Sequence, residues 1–234
     1  MPQDTRMRAG VNRRQFLQNA AVGAVIGLVA PSVPAPAWSP LLDTAPNLSP
    51  DAALEELLAG NRRFAANRLT STHQDLAALR QHTAEKQEPF AAVLSCADSR
   101  VPVELLFDQS IGQIFVTRVA GNIVTPELTA SLEYAVAVLG VRTVLVLGHT
   151  HCGAVKAAVN TDTVPGQIST LYQHLRPAVQ SSNGNVEKAI ETNARLQADL
   201  LRTSSTVIRD ATAKGTISVA AAVYDLATGI VALA

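Results

Sequence analysis

The sequence predicts a single α/β domain: a mostly parallel sheet of about four parallel strands plus a C-terminal antiparallel edge strand, flanked by helices. Three observations carry this. The runs FAAVLSC (90–96), QIFVTRVA (113–120) and TVLVLGH (143–149) are short, apolar and bounded by turn residues. Their hydrophobicity is continuous rather than alternating, which is the pattern of strands buried on both faces of a parallel sheet. Segments with helical spacing precede and separate them, and the tail TISVAAAVYDLATGIVALA reads as a strand, a turn at DLATG and a second strand.

The elements follow in chain order. The first 37 residues are set apart: paired Arg13 and Arg14, then Phe16 and Leu17, then an apolar stretch from Ala20 to Ala30 and the small-residue site APA at 35–37. This is the pattern of a twin-arginine export signal, with Asn12 and Gln18 departing from its usual residues. The apolar stretch is short for a membrane span, so the expectation is a signal peptide over 1–37 and a periplasmic or otherwise exported protein, free of the membrane after cleavage; an uncleaved N-terminal anchor is the other reading, and either places the domain outside the cytoplasmic membrane. Residues 38–49 read as a linker, and 50–234 as the domain. Ser49 is placed to cap a helix with Pro50 at its first position, followed by DAALEELLAGNRRFAAN. HQDLAALRQHTAEKQ (73–87) predicts a second helix. PELTASLEYAVAVLG predicts a helix ended by Gly140, and KAIETNARLQADLLRTSSTVIRDATAKG a long amphipathic one interrupted near Ser204.

Composition limits the function. Of 234 residues, 47% are hydrophobic and 16% charged, which excludes a disordered chain. Aromatics are only 4%, so the core is aliphatic and alanine-rich. Basic and acidic residues balance at 19 each, and the first 37 residues take four arginines and one aspartate with them, leaving a net charge of −3. Nucleic-acid binding has no electrostatic footprint on such a chain.

The chemistry lies at the predicted strand ends. The chain has two cysteines: Cys96 ends the first strand and Cys152 follows the third. Ligands of doubly wound sheets bind outside the carboxyl ends of the strands. Two thiols in an exported protein suggest a disulfide by default, and a non-catalytic binding domain with a Cys96–Cys152 bridge is one reading. The neighbours suggest another. Cys96 opens CADSR, with Asp98 and Arg100 two and four residues on, and His149 stands three residues before Cys152 in GHTHCGA. Two Cys and one His make a zinc-type set with a fourth position for water, Asp98 or substrate. Spacing favours His149 over His151, because adjacent residues rarely face one ion. His73, His82 and His174 lack ligand spacing, and Asp108 and Arg118 are candidates for structural ion pairs.

With these residues in view, the chain resembles the β-class carbonic anhydrases. The matching segments are CADSRVPVELLFDQSIGQIFVTRVAGNIV, SLEYAVAVLGVRTVLVLGHTHCGAV and, less specifically, LLAGNRRF, together spanning about Leu57 to Ala158. The resemblance implies one Zn2+ per chain on Cys96, His149 and Cys152, with Asp98 a fourth ligand in a closed form. It implies that Arg100 holds Asp98 off the metal in the active form, where zinc-bound hydroxide attacks CO2 and bicarbonate leaves. Gln87, Phe115 and Gly153 become candidate substrate-binding residues, and His151 a candidate proton shuttle. Relatives that hydrolyse CS2 or COS supply the alternative substrates. The expected assembly is a homodimer or higher homo-oligomer, with the N-terminal helices embracing the partner. Val93 stands where one subgroup carries the tryptophan of a regulatory bicarbonate site, so no such site is expected.

Overall fold

The computed structural model describes residues 48–234; the export signal and most of the linker lie outside the described residues. Helix α1 (Pro50–Ala65) starts as the sequence dictates, with the Ser49 hydroxyl accepting from the Ala52 N–H and Pro50 in the first turn. A 3-10 turn (Ser71–His73) leads to α2 (Leu76–Thr83). The predicted 73–87 helix is therefore shorter. Asp75 accepts from the Ala77 and Ala78 N–H groups and fixes the start at Leu76, and the chain is non-helical before Pro89.

Strands β1 (Ala91–Ser95), β2 (Ile114–Arg118), β3 (Thr143–His149) and β4 (Ser218–Tyr224) run parallel, and β5 (Val231–Leu233) pairs antiparallel with β4. The order is β2-β1-β3-β4-β5, so the four parallel strands and antiparallel edge strand read from the sequence are present. β1 and β3 are buried at every position. β2, an edge strand, is only partly covered. The short α3 (Val103–Leu106) and α4 (Pro126–Ala137) flank β2 in sequence, and α5 (Gly153–Asn160) and α6 (Tyr172–Ser181) follow β3. The predicted long helix is α7 (Val186–Ser204), broken at Ser205, whose side chain caps α8 (Thr206–Ala213).

The sheet sorts its side chains by parity. Ala91, Val93, Leu145, Leu147 and Ala222 pack on one face against Ala53 and Leu57 of α1 and Leu106 and Phe107 around α3. Ala92, Leu94, Val144, Val146 and Val219 face Leu132, Ala194, Ala198, Leu201 and Ile208 of α4, α7 and α8. The chain leaves β1 for β2 on one side and returns to β3 on the other, so the order reverses between β1 and β3. An open parallel sheet forms its ligand crevice at such a reversal, beyond the strands' carboxyl ends.

Candidate metal centre

Cys96, one residue past β1, and His149, the last residue of β3, meet at that crevice with Cys152, the residue preceding α5. Their ligand atoms lie within 4.8 Å of one another, and all three residues are buried. The tight turn from His149 to Cys152 is made possible by His151 at φ 56°. The Thr150 N–H donates to the Tyr224 carbonyl (2.9 Å) and its hydroxyl accepts from the Leu226 N–H (3.0 Å), which anchors the turn to β4.

The donor set fits zinc. The two sulfurs are 4.0 Å apart and both cysteines are free. Tetrahedral zinc with bonds of about 2.3 Å would hold two thiolates about 3.8 Å apart. His149 Nδ1 is 2.9 Å from the Thr150 carbonyl, which selects the tautomer with Nδ1–H donating and leaves the Nε2 lone pair free for a metal. That Nε2 is buried without a hydrogen-bond partner. No Cys96–Cys152 bridge joins the two sulfurs.

Asp98 stands beside the set, its Oδ2 3.8 Å from His149 Nε2. Arg100 grips it three ways: the backbone N–H (2.9 Å) and Nε (2.9 Å) donate to Oδ1, and Nη2 (2.8 Å) donates to Oδ2. The Arg100 side-chain hydrogen bonds hold the Asp98 carboxyl well below the usual range, against the opposing effect of burial. Between the two buried thiols, the hydrogen bond from Cys152 favours the Cys96 thiolate and, with burial, pushes Cys152 up.

Other predicted residues fall in different places. Gly153 opens α5 next to Cys152, exposed, with open space where a Cβ would sit. His151 is exposed, its Nδ1 3.5 Å from Glu187 Oε1 and its N–H donating to the same oxygen (3.2 Å). Gln87 is exposed in the loop before β1. Phe115 is paired in register with Ala92, four residues before Cys96 along β1, so about 13 Å of strand separates it from its own chain's cluster. Its ring packs on Tyr134 at 6.4 Å. Val93 is fully buried beneath α1 and α3. Asp108 does form a structural ion pair, with Arg63. Arg118 instead donates from Nε to the Cys96 carbonyl (3.0 Å) and from Nη2 to the Asp98 carbonyl (2.6 Å). It thereby holds the CADSR turn by its backbone, a role that sequence could signal only through its position at the end of the neighbouring strand.

A family model described as "Carbonic anhydrase" matches residues 91–231. The chain belongs to the β-class carbonic anhydrases. It is 35% identical to Carbonic anhydrase 2 of Mycobacterium tuberculosis over 192 residues, 79% of this chain and 92% of that one. It is 36% identical to a carbonic anhydrase of Mycolicibacterium smegmatis over 196 residues, 80% and 95% of the two chains. Among solved structures, a tetrameric β-carbonic anhydrase of Sordaria macrospora superposes with a TM-score of 0.64 at 25% identity, over 77% of this chain and 95% of that one. A Coccomyxa β-carbonic anhydrase in complex with acetazolamide gives 0.61 at 28% identity, over 77% and 85%. β-Carbonic anhydrases use zinc, and in this carbonic anhydrase the Cys96–His149–Cys152 cluster is the group of described residues able to hold it.

Proposed function

We propose that this carbonic anhydrase interconverts CO2 and bicarbonate with zinc held by Cys96, His149 and Cys152. The observation that carries the reading is the convergence of those three buried donor atoms beside an Asp–Arg pair. Zinc, when bound, supplies Lewis acidity that makes a water molecule ionise near neutral pH. The protein's own groups do the rest. Asp98, ionised and held by Arg100, presents an acceptor oxygen toward the metal site, where it orients a water and excludes its own coordination. Gly153 adds no side chain at the mouth, so a small linear substrate meets backbone there. His151, at the exposed rim beside Glu187, is the proton-transfer candidate to buffer. With the thiolates and imidazole buried, Asp98 and Arg100 form the charged pair at the open side of the site.

Gln87 and Phe115 are assigned to substrate binding through assembly into a homo-oligomer, because Phe115 pairs with Ala92 near the start of β1 and Gln87 lies in the loop before that strand, whereas the cluster lies past its end. Support comes from the free edge of β2 and from Ile111, Tyr134 and Val138 on adjoining segments, which stay exposed despite being apolar. Export through the twin-arginine segment is likewise our reading of residues 1–37. Among the described residues no helix is long and apolar enough to cross a membrane.

The test is metal analysis joined to stopped-flow CO2 hydration. One zinc per chain, activity lost on chelation and restored by zinc, is the expected result. A metal-free protein with a Cys96–Cys152 disulfide, or CS2 hydrolysis outrunning CO2 hydration, would overturn the reading.

A further inference from the structure

Two amide side chains on α7, Asn193 and Gln197, are buried at 0% and 4% exposure, four residues apart on one helix face. Buried amides are retained where they have partners to satisfy, and theirs lie on the loop that follows β2. Asn193 Nδ2 donates to the Gly121 carbonyl at 2.9 Å. Gln197 Oε1 accepts from the Val124 N–H at 2.8 Å, while its Nε2 donates to Asn193 Oδ1 (3.1 Å) and to the His174 carbonyl (3.3 Å). The two amides thus brace each other and clamp both ends of the segment 121–124.

Local bonding holds only the start of that segment, where the Asn122 N–H donates to the Val119 carbonyl at 2.9 Å. Gly121 and Asn122 are consecutive residues in the left-handed region, at φ 80° and 43°, and the Asn122 Nδ2 is buried without a hydrogen-bond partner. A non-glycine residue there costs of order 1 kcal/mol and persists only where its surroundings impose it. A side chain at Gly121 would also press on Leu175 at 3.3 Å. This conformation makes one contact with the metal centre: the Gly121 N–H points at the Cys96 sulfur, 3.3 Å away. An N–H donated to a thiolate withdraws charge from the sulfur and weakens its donation to a metal, which leaves the metal a stronger Lewis acid.

We propose that Asn193 and Gln197 are positioning residues for the metal centre: by holding the Gly121 carbonyl and the Val124 N–H they fix the turn whose Gly121 N–H is aimed at the Cys96 thiolate, and so set its donor strength. The inference rests on Cys96 being a metal ligand, as proposed above. It concerns neither the ligands nor the Asp98–Arg100 pair.

The test uses Asn193→Leu, near in shape but without the amide, and Gln197→Glu, which keeps the acceptor for Val124 and removes the two donors. Two readouts apply. The first is the near-ultraviolet sulfur-to-metal charge-transfer band of the cobalt-substituted enzyme; the second is hydrogen exchange of the Gly121 amide. Asn193→Leu should move the band to lower energy and speed Gly121 exchange at least tenfold, with one cobalt per chain retained. Gln197→Glu should do both to a smaller degree. A folded Asn193→Leu with an unchanged band and unchanged exchange refutes the proposal. If Asn193→Leu does not fold, an unchanged band and exchange in Gln197→Glu refute it equally. A wild-type protein that binds no cobalt would refute the metal reading itself, whereas Gly121 exchange measures the clamp without metal.

Discussion

Replacing Asp98 by Asn is the sharpest probe of the site, because it keeps the side chain's shape and removes its charge. The carboxylate accepts three bonds from Arg100, at 2.8 to 2.9 Å, and lies 3.8 Å from the His149 nitrogen that faces the metal position. It is therefore within one water of the reacting centre. An asparagine has one acceptor oxygen where the aspartate has two. If that oxygen stays with Arg100, an NH2 donor faces the metal site; if it turns inward, the Arg100 fork confronts the amide nitrogen. Either orientation loses the acceptor that manages a proton, and positioned acid–base groups are worth roughly 10²–10⁴ in rate. Because Asn keeps part of the geometry, the low end applies: kcat/KM for CO2 hydration should fall about 100-fold, or about 2.7 kcal/mol of barrier. Stopped-flow hydration assays measure this, with zinc content and Tm taken on the same samples. Zinc should stay at one per chain, since Asp98 is not among the three clustered ligands. Activity within threefold of wild type at full zinc would refute the assigned role.

Asp108→Asn tests a different carboxylate, fully buried and bonded to Arg63 (2.6 Å), the Thr70 hydroxyl (2.7 Å) and the Thr70 and Ser71 N–H groups. Burial alone would raise its pKa, but the donors from Arg63, Ser71 and Thr70 outweigh it and hold it at about 2, below its ordinary 3.8. Its stabilisation, roughly 2 kcal/mol, is complete above about pH 4 and lost as pH falls toward 2; urea unfolding across pH 2–7 should show that loss in wild type and not in the variant. His149→Ala should abolish stoichiometric zinc binding, read by metal analysis, because it removes one of three ligands; a variant holding full zinc would contradict the assignment. Gly60→Ala should destabilise by about 3 kcal/mol or more in thermal unfolding, since its Cβ would lie 1.8 Å from the Phe107 carbonyl oxygen.

Much of the fold was legible because the chain's signals are local and consistent. Continuous apolar runs marked β1 and β3, and Ser49–Pro50 marked a helix start that the structure keeps. The 73–87 helix was overdrawn because helical spacing says nothing of Asp75, which satisfies the N–H groups of Ala77 and Ala78 and so starts the helix later. In the site, Cys96, His149 and Cys152 were visible because metal chemistry needs particular side chains at particular spacings. Arg118, Asn193 and Gln197 were not, since they act on backbone carbonyls and N–H groups that any sequence would supply. Such residues become visible only once the register Ser95↔Arg118 and the packing of α7 are known.

The centre is thus fixed from outside as well as by its own turns. Arg118, on the neighbouring strand, holds the carbonyls of Cys96 and Asp98. Thr150, which sets the His149 tautomer, is itself held by the Tyr224 carbonyl and the Leu226 N–H beyond β4. The Gly121 N–H on the Cys96 sulfur is aimed from α7. Cys96, the Asp98 backbone and Thr150 are therefore oriented by segments distant in sequence, and a sheet whose central strands are fully buried keeps those segments in register. A reaction on so small a substrate offers few binding contacts from which to assemble a site on arrival, so its geometry has to be present beforehand. The buried frame around β1 and β3 supplies that, and leaves Asp98, Arg100 and His151 at the more exposed edge of the site.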